Sequence, residues 1–255
     1  MLGEASYVRF ADDCEVVAGD PVNLDFFCHV HLHDGVWEQG VLDACLRTVR
    51  PGDVFYDIGA NAGIVAIDVA RTFGEDVTVH AFEPQPTLVN SLSVSIAMNA
   101  FTRAQAHRLL LGDRSGEADL FVADHGVHSS LVSREAGATR LNCRMETIDG
   151  LVTAGAVPPP SVIKLDVEGA ELRVLQGARN TLRANPPVIV FEADDNMTRF
   201  GYTHSDLFGL LREFAEYSFH RIDGAEWVPV NSPADIARGD YVALPPGWRP
   251  RDGSK

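Results

Sequence analysis

The 255-residue chain predicts an α/β fold, a mostly parallel sheet with helices on both faces. Three observations predict it. Short apolar strands alternate with helices along most of the chain. Those strands are apolar on both faces, as in a sheet covered on both sides. The first strand also runs through a glycine turn into a helix, "VFYDIGANAGIVAIDVA" (Val54 to Ala70). Sheets of this kind hold ligands at the carboxyl ends of their strands, where strand order reverses.

In order, "DGVWEQGVLDACLRTV" reads as an amphipathic helix leading into the first strand, "DVFYDIG". "AGIVAIDVARTFG" is the helix after it. "DVTVHAFEP" and "AQAHRLLLGD" read as strands two and three, with the helix "TLVNSLSVSIAMNA" between them. "GEADLFVADHGVHSSLVSREAGATRLNCRMETI" breaks the alternation and reads as an inserted hairpin and loop. "SVIKLDVEG" is strand four. "AELRVLQGARNTLRAN" is one helix closed by Pro186 and Pro187. "PVIVFEAD" is strand five, "SDLFGLLREFAEY" a helix, and "SFHRI" and "DYVALP" late strands. The linker-like "VTAGAVPPPS" is too short to separate domains. The expected organisation is therefore one globular unit, 51–255, preceded by a cap or lid segment, 1–50.

Composition narrows the function classes. Net charge is -15 and hydrophobic content 45%. An acidic surface disfavours nucleic acid and anionic membranes as partners. No segment approaches the roughly 18 apolar residues of a membrane helix. The N-terminus has no basic start and no apolar run, so the expectation is a cytoplasmic protein. The four cysteines form no C-x-x-C pair and read as reduced thiols. A homo-oligomer is left open.

The turn after strand one is not G-x-G-x-x-G. Gly59 and Gly63 permit a tight turn and close backbone approach. Asn61 and Ala62 fill the loop, and Asp57 precedes it. A carboxylate there is a poor neighbour for pyrophosphate and a good one for an ammonium-bearing amino acid. That favours S-adenosylmethionine over NAD. Glu83, followed by Pro84, ends strand two, where a ribose diol is held in adenosyl and dinucleotide folds. Asp113 ends strand three and is placed for an adenine amino group.

Strand four carries the most specific stretch, "VIKLDVEGAELRVLQGA". Lys164, Asp166 and Glu168 alternate and so share one face. Charged groups on a buried strand are costly unless paired or functional. Glu192, at the end of strand five, falls next to Asp166, with Asp194 and Asp195 just beyond.

Together "YDIGANAG", "AFEPQP", "IKLDVEGAELRVLQGA" and "VFEAD", in this order and spacing, resemble the FkbM-type S-adenosylmethionine-dependent methyltransferases. The resemblance runs from about Gly52 to Asp195. It implies a Rossmann-like class I methyltransferase sheet with an antiparallel last strand. It also implies O-methylation of a hydroxyl on a small molecule, a sugar or a natural product such as a polyketide or glycoside. The terminal segments match nothing, so the acceptor stays open.

A hydroxyl acceptor needs a base or a metal. Asp166 and Glu168 are candidate catalytic carboxylates. His125 and His128, in "DHGVHSSL", are candidate bases from a loop over the cleft. Asp166 and Glu192, with Asp195 or Asp194, could hold Mg²⁺ through oxygen ligands. A looser similarity to macrocin-type sugar O-methyltransferases supports this, although those carry an Asp-Asp pair where this chain has Glu192-Ala193. His29, His31 and His33 share a face in "HVHLH" and offer a weaker metal reading. Trp37 and Glu38 could border the acceptor. Competing classes are a nicotinamide oxidoreductase, for which no Tyr-x-x-x-Lys pair is found, a non-catalytic adenosyl-binding partner, and an N-methyltransferase of the same fold.

Overall fold

The structure is a computed structural model that describes residues 6–11, 14–18, 39–122, 129–131 and 139–250. A hairpin of β1 (Ser6–Ala11) and β2 (Cys14–Ala18) precedes α1 (Gln39–Thr48). The alternating unit then begins with β3 (Val54–Ile58), α2 (Ile64–Phe73), β4 (Thr78–Phe82), α3 (Pro86–Met98) and β5 (Ala104–His107). Four strands follow: β6 (Leu110–Leu111), β7 (Gly116–Val122), β8 (Ser129–Ser130) and β9 (Thr139–Glu146). The chain returns through α4 (Ile148–Thr153), β10 (Val162–Leu165), α5 (Glu171–Gln176), α6 (Arg179–Ala184) and β11 (Val188–Ala193). A 3-10 turn (Asp195–Phe200) leads to α7 (His204–Phe214), β12 (Ser218–Asp223), β13 (Glu226–Pro229) and β14 (Gly239–Leu244).

The main sheet has the order β13-β12-β14-β11-β10-β3-β4-β5. Five neighbours, β11, β10, β3, β4 and β5, are parallel, and β14 inserts antiparallel between β11 and β12. This is the expected mostly parallel sheet with an antiparallel last strand. Strand order reverses between β3 and β10, which opens a crevice above their carboxyl ends.

One hydrophobic cluster lies on each face of the sheet. The first joins Val162, Val190 and Val242 to α1, α2 and α3. The second joins Tyr56, Ile163 and Phe191 to α5, α6 and α7. Both exist because strand residues are buried on alternate sides, as continuous apolar runs demand. Cys14, Val16 and α1 belong to the first cluster, so the described part of residues 1–50 packs into the same core as the sheet. The β2 backbone is satisfied from α3: Val17 N donates to Ser95 Oγ at 2.8 Å and Glu15 N to Asn99 Oδ1 at 3.0 Å. Residues 19–38, with His29, His31, His33, Trp37 and Glu38, lie outside the described residues.

Three expectations are revised. The third strand is not continuous: β5 stays in the main sheet, while β6 pairs with β9 in a separate sheet of order β6-β9-β7-β8. The predicted helix 170–185 is two short helices broken at Gly177. A Cβ there would stand 2.0 Å from Gly112 O, so close backbone packing interrupts the helix. Asp149 then caps α6, accepting from Asn180 N at 2.9 Å and Thr181 N at 2.8 Å. The short β13 at the sheet edge is an addition.

Candidate active site

A cleft of about 350 Å³ lies at the point where strand order reverses. That is within the usual range for a small-molecule site. One half is built by the loops after β3 and β4. Gly59 has φ +77, and a Cβ on it would stand 1.8 Å from Asp166 O. Only glycine lets β3 and β10 approach this closely. Gly59 N and Ala60 N both donate to Phe82 O at 3.1 Å. Glu83 then ties the two loops together. Its Oε2 accepts from Asn61 N at 3.0 Å and its Oε1 from Gln85 N at 2.9 Å. Burial pushes its pKa up to about 7, against the pull of these two amides. Gly59, Asn61, Glu83 and Pro84 all line the cleft. Its apolar wall comes from Leu109 to Leu111 with Leu120 and Leu131, supplied by the small sheet.

Three sequence-predicted cofactor residues are placed elsewhere. Asp57 is 1% exposed and does not line the cleft. It shares a sheet face with Lys164, lies 3.7 Å from its Nζ, and accepts from Ala66 N at 3.0 Å. It therefore anchors the start of α2 beneath the loop. Gly63, at φ +85, is an N-terminal packing glycine: a Cβ would stand 2.3 Å from Leu92 Cδ1. Asp113 is exposed, pairs with Arg114 at 3.2 Å, and lies past the turn into the small sheet. The strand end is His107, and the leucines after it reach the cleft instead.

The other half of the cleft is polar. Asp166, Glu168, Glu192, Asp194, Asn196 and Arg238 line it. Lys164 Nζ donates to Gly59 O and to Asp166 Oδ2, each at 3.2 Å. The expected face-sharing of Asp166 with Glu168 does not hold, because the strand ends at Leu165 and Glu168 has φ +56. Glu168 Oε2 accepts from Asn196 Nδ2 at 3.2 Å. Asp194 accepts from Asn196 N at 2.5 Å and forms an ion pair with Arg238, whose Nε lies 3.1 Å from its Oδ2. Burial, then the charges of Asp166 and Asp194, push the Glu192 carboxyl up to about 9.

The turn that carries these acids is clamped from behind. Glu171 Oε1 accepts from Val167 N at 3.0 Å and Gly169 N at 3.1 Å. The Tyr202 hydroxyl donates to Gly169 O and accepts from Leu172 N at 3.3 Å. Burial pushes Glu171 up to about 7. Asp195 is not part of the site: its side chain is 74% exposed, 3.6 Å from His204 Nε2. His125 and His128 lie outside the described residues. Sequence reasoning missed Asn196 and Arg238. Asn196 follows the strand-five acids and was open to inspection, whereas Arg238 arrives from a distant loop with no local signal.

A sheet of this order, with an acid-and-glycine cleft where strand order reverses, suits a nucleotide-type cofactor, and the family match below identifies it as an S-adenosylmethionine-dependent methyltransferase domain. The chain belongs to the FkbM methyltransferase family, since the methyltransferase FkbM domain matches residues 57–219. It is 35% identical over 158 residues to hexuronic acid methyltransferase AglP of Haloferax volcanii, covering 60% of this chain and 61% of that one. It is 25% identical over 193 residues to methyltransferase 1 of Beauveria bassiana, covering 67% and 74% respectively. The match thus spans about three fifths of the length of the Haloferax relative. A solved FkbM methyltransferase from Methylobacillus flagellatus KT aligns with TM-score 0.49 at 14% identity, covering 89% of this chain and 61% of that one. No helix among the described residues is long and apolar enough to cross a membrane.

Proposed function

We propose that the protein is an S-adenosylmethionine-dependent O-methyltransferase acting on a hydroxyl of a small molecule, a sugar or a natural-product scaffold. One observation carries the reading. The cleft joins a glycine-and-glutamate cradle to an acid-lined chamber in one continuous cavity. The name of the Haloferax relative, a hexuronic acid methyltransferase, supports a sugar acceptor.

In this reading the adenosine lies against Leu109 to Leu111, with its ribose on Glu83. The methionine end passes over the Gly59 turn toward Asp166. The acceptor hydroxyl attacks the methyl carbon in line with the sulfonium. An O–C bond forms as the S–C bond breaks, and the sulfonium becomes a neutral thioether. The hydroxyl proton leaves to a group of the chamber. Asp166 and Glu168 are the described candidates, and His125 and His128 are the loop candidates. Holding donor and acceptor in line is the larger contribution, because the translational and rotational entropy that a solution encounter must lose is already lost on binding.

The test is transfer of a labelled methyl group from S-adenosylmethionine to a panel of hydroxylated sugars, hexuronic acids, glycosides and polyketides, with an amine series beside it. Labelled ether product that falls in Asp166→Asn while cofactor affinity persists supports the assignment. Labelling of amines alone moves the acceptor to nitrogen. Unchanged turnover in Asp166→Asn removes that residue from the chemistry.

A further inference from the structure

Three carboxylates from three elements come together at the polar half of the cleft, two lining it and the third buried behind the turn. Asp166 follows β10, Glu171 opens α5, and Glu192 lies on β11. Each offers one oxygen, and these oxygens all lie within 4.8 Å of one another. Grouped acids alone do not make a ligand site, because solvent readily screens them. The second observation is Glu171, which is 0% exposed. Its Oε1 is occupied by the amides of Val167 and Gly169, but its Oε2 is buried with no hydrogen-bond partner. A buried acceptor left unmatched is costly and calls for a donor or a cation. Lys164 serves Asp166, while among the described residues neither Glu171 nor Glu192 has an ion-pair partner.

We propose that Asp166, Glu171 and Glu192 form a binding site for a hard divalent cation of the Mg²⁺ or Mn²⁺ type. The donor set decides the class: three carboxylates suit Mg²⁺, Mn²⁺ or Ca²⁺, whereas Zn²⁺ and Cu²⁺ favour nitrogen or sulfur. Glu171 replaces Asp195, the third ligand expected from sequence, because Asp195 faces solvent outside the cleft. Asp166 and Glu192 line the chamber, so a cation here would supply Lewis acidity beside an acceptor hydroxyl. That role rests on the O-methyltransferase reading. The site itself rests on the three oxygens and the orphaned Oε2.

The experiment is titration of Mn²⁺ into the full chain, read as loss of the free-ion electron paramagnetic resonance signal and by calorimetry, with Mg²⁺ as competitor. The expected result is one Mn²⁺ site. Asp166→Asn and Glu192→Gln should each weaken it by roughly tenfold or more, and Asp195→Asn should leave it unchanged. Glu171→Gln is included, and its fold is checked by melting without metal. Should it unfold, the other two variants carry the test. Three results overturn the proposal: no Mn²⁺ site in the wild type, affinity preserved in both Asp166→Asn and Glu192→Gln, or Asp195→Asn as damaging as either. The labelled-methyl assay with and without chelator separates this proposal from the function it rests on. Mn²⁺ binding without transfer to any acceptor sinks the O-methyltransferase reading and leaves the site. Transfer that survives chelation, with no Mn²⁺ site, does the reverse.

Discussion

Glu83→Gln isolates the cofactor half of the cleft. Glutamate and glutamine have nearly the same shape, so packing is preserved. What changes is acceptor capacity. Glu83 is buried, and each carboxylate oxygen accepts one backbone amide, from Asn61 and from Gln85. Glutamine keeps one oxygen and turns an NH₂ donor toward the other amide. Leaving one buried N–H unmatched costs about 1–3 kcal/mol. A domain of this size loses about 2–4 °C in Tm per kcal/mol, so calorimetry should show a fall of roughly 2–12 °C. Cofactor binding loses a separate amount. Bonds to a charged acceptor are worth about 1 kcal/mol more than bonds to a neutral one. With one or two ribose hydroxyls on Glu83, affinity for S-adenosylhomocysteine should drop roughly 5- to 30-fold. Isothermal titration well below the variant's Tm reads this directly. A lowered Tm with unchanged affinity refutes the ribose role and leaves Glu83 as a loop tie. Unchanged Tm and affinity refute both. A wild type that binds no adenosyl ligand refutes the cofactor reading itself.

Three other perturbations follow from the same geometry. Gly59→Ala sets a Cβ 1.8 Å from Asp166 O at φ +77, so soluble yield and Tm should collapse, and a variant that melts like the wild type would show that β3 and β10 can separate cheaply. Tyr202→Phe removes the hydroxyl that bridges Gly169 and Leu172, which should cost about 1–3 kcal/mol in urea unfolding; a loss confined to turnover would mean that the bridge is not structural. Acid should weaken the fold through His80 and His107, whose rings meet at 2.9 Å (Nδ1 to Nε2). Burial lowers both, with His107 held at about 4, partly by His80. The unfolded chain therefore binds more protons below the ordinary histidine range, and stability is lost as pH falls from about 6.5 toward 4. Urea midpoints across that window should decline less steeply in His107→Gln, and parallel profiles would remove the pair as the cause.

Local chemistry made much of this protein readable. Apolar runs of five or six residues announce buried parallel strands, because both faces must be covered. The place of Gly59, Glu83 and Asp166 at the cleft was legible because each directly follows a strand, and Asn61 lies in the turn after the first of these. The late antiparallel strand came with the family pattern. Sequence also supplied Glu192 as the neighbour of Asp166, since adjacent parallel strands in register bring equivalent ends together.

Which way a side chain points, and what reaches it from afar, was decided only in three dimensions. Asp57 stands at a strand end as expected, yet the sheet's alternation turns it away from the cleft and onto Lys164. Asp113 lost its expected place when the chain left the main sheet after His107, a switch driven by pairing of β6 with β9, more than thirty residues away. Gly177 breaks a helix only because Gly112 packs against it. Arg238 enters the site from a loop with no pattern of its own, and Glu171, which reads as an ordinary helix-opening acid, becomes a buried carboxylate beside two others. Periodicity encodes which residues are buried. Only the packing of distant segments sets which buried groups meet.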